Sequence, residues 1–157
     1  MIIGIDPGKS GGVSIIYEEI AQLNKCPTEP IEMSLIISNA INTAYIENKK
    51  ITTYIENVHA FPTDGRSSAF KFGCNYGMWL GILASNRITP IKVIPFKWME
   101  SFGNYSKVKQ ERKRQLKEKA IEQLSRYTIK GKVTLSTADA ALISIYGRNK
   151  ENEDEGT

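Results

Sequence analysis

Three carboxylates that are far apart in the sequence, Asp6, Glu56 and Asp139, each stand at the end of an apolar segment or on the face of one. Asp6 closes the run Ile2-Ile3-Gly4-Ile5-Asp6-Pro7-Gly8, and Glu56 closes Ile51-Thr52-Thr53-Tyr54-Ile55-Glu56. Asp139 lies in the small-residue segment Ala138-Asp139-Ala140-Ala141-Leu142-Ile143. A buried or half-buried carboxylate costs several kcal/mol unless a cation neutralises it, so three of them call for a divalent metal. Two Mg²⁺ ions about 3.5–4 Å apart on such a cluster are the usual equipment for hydrolysing a phosphodiester.

Regular elements must bring these residues together. Residues 1–6 read as a fully buried strand, and Gly8, Gly11 and Gly12 turn the chain into a second strand, 13–17, as a tight hairpin around Asp6. A third strand falls within 19–33, interrupted at Pro27 and Pro30. Ile36, Ile37, Ala40, Ile41, Ala44 and Tyr45 recur at helical spacing and predict a helix over 35–48, with a fourth strand, 51–56, directly after it. The segment 67–84 is helical in length and carries Gly73, Gly77 and Gly81 on one face. At about 1 kcal/mol per glycine relative to alanine, this row implies a close backbone approach. The approach is either to the sheet or to the same helix of a second subunit, with Phe70, Cys74 and Trp79 alongside.

A fifth strand at 91–94 and a turn or short helix at 96–102 follow. The segment 107–127 predicts a long charged helix with an apolar line at Leu116, Ala120, Ile121 and Leu124. The last helix, 137–146, has Ser136 or Thr137 as its N-cap. Three early strands, then alternating helix and strand, then closing helices describe an α/β, ribonuclease H-like fold: a mixed five-stranded sheet flanked by helices. In that fold the first and fourth strands are neighbours, so Asp6 and Glu56 meet. Asp139 on the first turn of the last helix points at both, where the helix N-terminus favours its ionised form.

The length, 157 residues, suits one domain, 1–148, followed by an acidic tail, 149–157, expected to be disordered. Cys26 and Cys74 lack metal-site spacing and are too few for a disulfide framework, which points to a reducing cytoplasm. The N-terminus runs straight into a strand, with no basic segment and apolar core of a signal peptide, and no window approaches the roughly 20 apolar residues of a membrane span. The formal charge of +4 hides an asymmetry, because the acid-rich end offsets a strongly basic stretch at 107–132. Lys109, Lys113 and Lys117 share a helix face, with Arg112 close to it and Lys107 and Lys97 nearby. Such a row neutralises phosphates and makes binding salt dependent. The bland alternative is a solvated helix, partly offset by Glu111 and Glu118. Lys9, Arg66 and Lys71 are weaker candidates.

The runs Ile3-Gly4-Ile5-Asp6-Pro7-Gly8, Ile55-Glu56-Asn57-Val58 and Ala138-Asp139-Ala140-Ala141-Leu142 resemble the three acidic motifs of the RuvC family of Holliday-junction resolvases. The resemblance runs to about Gly147. Phe61 to Gly81, with Pro62-Thr63-Asp64-Gly65 and Tyr76-Gly77-Met78-Trp79-Leu80-Gly81, is similar to the phage-encoded and chloroplast-type branch, implying a phage source. The resemblance implies a homodimer that cuts branched DNA with two Mg²⁺ ions per site, Mn²⁺ substituting. Asp6 would bridge both ions, and Glu56 and Asp139 would hold one each. It also implies phosphate contacts from Lys97 and Lys109. Bacterial members carry a further acid, or a histidine, where this chain has Ser136, so the second ion would be loosely held unless Ser136 or water completes it, the plainer reading being that Ser136 only caps the helix. An aromatic wedge into the junction centre falls to His59 by register, or to Phe61 by its larger apolar face.

Three other readings compete. Gly4-Ile5-Asp6-Pro7-Gly8 also resembles the first phosphate loop of actin-like ATPases and sugar kinases, but the second loop and second domain that those need are missing from the sequence. A junction-binding protein with a weakened or inactive metal site has Ser136 in its favour. A less selective nuclease for forks, flaps or loops would use the same carboxylates.

Overall fold

The computed structural model describes residues 1–57 and 65–156. Among them six strands form one sheet: β1 (Ile2–Asp6), β2 (Gly12–Tyr17), β3 (Ile20–Lys25), β4 (Thr52–Glu56), β5 (Ile91–Val93) and β6 (Thr128–Lys130), in the order β5-β4-β1-β2-β3-β6. β1, β2 and β3 form an antiparallel meander. β4 runs parallel to β1, β5 to β4 and β6 to β3. The mixed sheet agrees with the sequence reading, with six strands in place of five. The additional strand, β6, has no signature in the sequence because it is three exposed residues on an outer edge, too short to show alternation.

Strand alternation divides the core into two layers. Ile3, Ile5, Val13, Ile15 and Ile55 face α1 (Pro30–Ile46) and α2 (Arg66–Ser85), where Met33, Ile37, Ala40, Trp79 and Leu83 meet them. Ile2, Ile16, Ala21, Leu23 and Tyr54 face the opposite side, against α3 (Pro95–Glu100), α4 (Lys109–Gln123) and α5 (Ala138–Glu155). Asp6 and Glu56 follow the same alternation as Gly4 and Tyr54, so both belong to the α5 side. The helix expected at 35–48 begins earlier, because Pro30 sits at a first-turn position where its missing N–H costs nothing.

Two glycines let α5 lie directly on the sheet. A Cβ on Gly4 would stand 2.5 Å from both the Ala140 carbonyl oxygen and the Ser144 nitrogen, and one on Gly12 would stand 2.6 Å from the Ser136 carbonyl oxygen. The small residues Ala138, Ala140 and Ala141 allow the same approach from the helix side, and the buried hydroxyls of Ser14 and Ser144 are hydrogen-bonded at 2.7 Å. Gly4→Ala is therefore expected to destabilise the fold by about 1–3 kcal/mol through overpacking. Thermal unfolding checks this; an unchanged Tm would mean that α5 does not sit where described.

Three sequence expectations need correction. The acidic segment expected to be a disordered tail continues α5 to Glu155, with Lys150 and Glu153 paired one turn apart at 2.7 Å. The glycine row does not touch the sheet: α2 buries Asn75, Trp79 and Leu83, while nothing lies within 4 Å of a Cβ built on Gly73, Gly77 or Gly81. Trp79, grouped with that row by sequence, is fully buried on the other side of the helix. Of the two caps that the sequence offers for α5 the structure takes Thr137, so the reading of Ser136 as the cap fails, and Thr137 works without a side-chain bond to the helix amides. Its hydroxyl instead donates to the Lys132 carbonyl at 2.8 Å and accepts the Thr134 N–H at 2.9 Å, which fixes the turn that launches the helix. No helix among the described residues is long and apolar enough to cross a membrane.

A candidate carboxylate centre

β1 and β4 run in parallel register, Ile5 beside Ile55, so Asp6 and Glu56 emerge next to each other at the carboxyl ends of adjacent strands. Their carboxyl groups share a hydrogen bond. Asp139, on the first turn of α5, comes close enough to act on both electrostatically. The structure thus brings together the three acids that the sequence singles out.

All three are held above the ordinary carboxylate range. For Asp6 the shift is large, caused first by burial, then by the charges of Glu56 and Asp139. Glu56, 8% exposed, is raised by burial, with the Trp98 indole N–H opposing. Asp139 is raised by burial, against the pull of Lys113 and then Arg112. Lys113 is near enough to lower all three electrostatically. Asp6 and Glu56 titrate as a coupled pair, both raised by burial first.

The donor set, three hard carboxylate oxygens with a deficit of positive charge, suits Mg²⁺ or Mn²⁺. Among the described residues no three His, Cys, Asp or Glu side chains already stand as a complete ligand group.

Two contacts at this centre lack a signal in the sequence. Trp98, which no spacing or motif in the sequence singles out, donates from Nε1 to Glu56 Oε1 at 2.9 Å. Asn75, buried on α2, accepts the Gly8 N–H at 2.8 Å and donates to the Pro27 carbonyl at 3.2 Å, tying the loop after Asp6 to the end of β3. Both contacts span more than 40 positions, and nothing in local periodicity reports them. Burial pushes up the nearby Cys26 thiol, which accepts the Trp79 indole N–H at 3.3 Å.

The basic residues divide into two groups. Lys97 on α3, Lys107 just before α4 and Lys109 at its start are exposed. Arg112 is half-buried, and its guanidinium donates to the Ser106 and Lys107 carbonyls at 3.4 and 3.3 Å, so it braces the start of α4 rather than standing free in solvent. Lys113 and Lys117 are half-buried, and Lys113 is near enough to lower the three carboxylates electrostatically. Ser136 is half-buried in the turn before α5, its carbonyl against Gly12, the residue that pairs with Asp6. His59 and Phe61 lie outside the described residues.

No protein-family model and no curated protein matches the chain by sequence. Solved structures do match its backbone. Thermus thermophilus RuvC in complex with a Holliday junction substrate is 16% identical, with 97% of this chain and 94% of that one covered, at a TM-score of 0.58. Thermus thermophilus RuvC by itself is 18% identical, with 98% and 96% covered, at a TM-score of 0.57. The fold is that of RuvC. Identity this low speaks for architecture alone: the ribonuclease H-like sheet with its flanking helices, spanning nearly the whole of both chains.

Proposed function

We propose that this chain is a divalent-metal-dependent endonuclease of the RuvC kind, which cuts Holliday junctions, and other branched DNA to a lesser degree, as a homodimer. The observation that carries the proposal is the meeting of Asp6, Glu56 and Asp139 at the carboxyl ends of β1 and β4 under the first turn of α5, with Lys113 beside them. The RuvC fold supports it, since the structure matched over nearly its full length was determined on a Holliday junction.

Two Mg²⁺ ions, once bound, supply an activated water and charge neutralisation at the leaving oxygen. The chain does the rest. Asp6, Glu56 and Asp139 would hold the ions. Glu56 is held by Trp98, and Asp139 by the helix that Gly4 seats on β1. Lys113 offers a cation for the scissile phosphate. Lys97, Lys107, Lys109 and Lys117 neutralise flanking phosphates, while His59 and Phe61, just after β4, are the candidates for contact with the junction centre.

Lys113→Ala is accordingly expected to slow cleavage at saturating DNA by about tenfold or more. Lys109→Ala should weaken binding across DNA sequences and flatten its salt dependence by about one counterion, with a smaller effect on the saturated rate. Binding titrations at several salt concentrations, paired with single-turnover rates, separate the two; identical profiles would contradict the division.

The open glycine face of α2, with Phe70 73% exposed beside it, supports pairing of this helix with its symmetry mate, an arrangement that suits a junction cut on two opposed strands. A second reading, a junction-binding protein with a weakened metal site, draws on Ser136 and on the lack of a complete ligand trio among the described residues. Cleavage of four-way, three-way, flap and linear duplex DNA in Mg²⁺ decides between them. The proposal expects the four-way junction to be cut fastest and linear duplex least. Binding of the junction without cleavage of any of these substrates would favour the second reading.

A further inference from the structure

We infer that Trp98 is the positioning residue of the carboxylate centre: its indole N–H takes Oε1 of Glu56 and so fixes which oxygen of that carboxylate is presented beside Asp6 to a metal ion. The inference rests on the metal-dependent reading above and concerns one side chain within it.

The geometry follows from a short crossover. Val93 of β5 pairs with Glu56 at the end of β4, and the Asn57 N–H continues the pairing to the Val93 carbonyl at 2.7 Å. Only Ile94 separates β5 from α3, whose fixed start at Pro95 brings Trp98 back over the end of β4. The indole is 1% exposed and belongs to the buried core cluster against which Met99, Phe102 and Tyr105 also pack, so its ring is enclosed. Its Nε1 lies 2.9 Å from Oε1 of a carboxylate that is itself 8% exposed. Lys97, the preceding residue, is exposed, so one short helix turns a cation outward and an orienting donor inward.

The kind of donor matters. A lysine or arginine at this place would neutralise Glu56 and compete with the divalent ion. A neutral indole N–H satisfies one lone pair of Oε1 and leaves the charge for the metal. Hydrogen-bonded partners of this sort behind a metal ligand typically contribute roughly 10- to 100-fold in metal affinity.

The test is a Mn²⁺ titration of the rise in Tm, followed by scanning calorimetry on the full chain without DNA, and repeated as cleavage of a four-way junction. Three proteins are compared: wild type, Trp98→Phe, and a chain with benzothienylalanine at position 98, which keeps the shape of the indole but has no N–H. Both substituted chains are expected to need roughly 10- to 100-fold more Mn²⁺ for half the Tm rise. Their cleavage deficit should close as Mn²⁺ is raised. If Trp98→Phe does not fold, the isosteric chain alone gives the answer, since a packing role would leave it indistinguishable from wild type. A wild type that responds to Mn²⁺, with an isosteric chain responding at the same concentration, overturns the role of Trp98 and leaves the metal site standing. A wild type with no response overturns the metal site, and Trp98's role with it.

Discussion

Asp6→Asn, Glu56→Gln and Asp139→Asn are each expected to lower the rate of junction cleavage by at least about a hundredfold while leaving junction affinity equal or higher. Loss of one preorganised charge-stabilising group alone costs about 10²–10³ in rate. Here each substitution also removes a ligand shared within one centre. Affinity should move the other way, because each neutralised acid removes a charge that repels the phosphate backbone. Single-turnover cleavage in Mg²⁺ and anisotropy binding in EDTA give the two quantities separately. Near-normal cleavage by any of the three variants would contradict the assignment of that residue.

The metal-free protein is expected to lose stability as pH rises from about 4 towards neutrality, and to regain it when Mg²⁺ or Mn²⁺ is added. The sign follows from the raised pKa values of Asp6, Glu56 and Asp139, caused by burial first in each case. Unfolded carboxylates release their protons at about pH 4, whereas the folded cluster keeps them to higher pH. Across that interval the folded state holds more protons than the unfolded one, so stability falls as pH rises through it. A divalent ion at about a hundred times its Kd returns about 2.7 kcal/mol at pH 7. At about 2–4 °C per kcal/mol for a chain of this size, the rise in Tm is readily measured. Asp6→Asn should flatten the pH dependence, raise the Tm of the metal-free protein by a few degrees, and abolish most of the metal response. Melts at pH 5 and pH 7, in EDTA and in Mn²⁺, check all three. A metal-free Tm that climbs between these pH values in wild type and is unaltered by Asp6→Asn would contradict the buried cluster.

The carboxylate centre is legible in the sequence because its residues sit at the ends of regular elements. A strand's last residue and a helix's first turn are placed by the fold itself, so once β1, β4 and α5 are assigned, Asp6, Glu56 and Asp139 have to converge. The residues that tune the centre are not legible in this way. Trp98 reaches Glu56 through a crossover, and Asn75 reaches Gly8 from the opposite layer; neither leaves a trace in periodicity. Helical spacing puts Lys109, Lys113 and Lys117 on one face, but only the packing of α4 on α5 brings Lys113 within electrostatic reach of the acids. The glycine row of α2 is visible as a period, while its direction, away from the sheet, depends on which face Trp79 and Leu83 occupy. β6 fails for a different reason: Thr128, Ile129 and Lys130 are all exposed, and without burial a strand has no pattern to read.

The most direct test of the central claim is incubation of an end-labelled four-way DNA junction with the wild-type chain, in Mg²⁺ and in EDTA, with the cut positions mapped on all four strands. Cuts are predicted on two opposed strands, only when the metal is present, leaving 5′ phosphates and 3′ hydroxyls that a ligase can seal. Cleavage undiminished in EDTA, or no cleavage of the junction at any Mg²⁺ or Mn²⁺ concentration, would contradict the account.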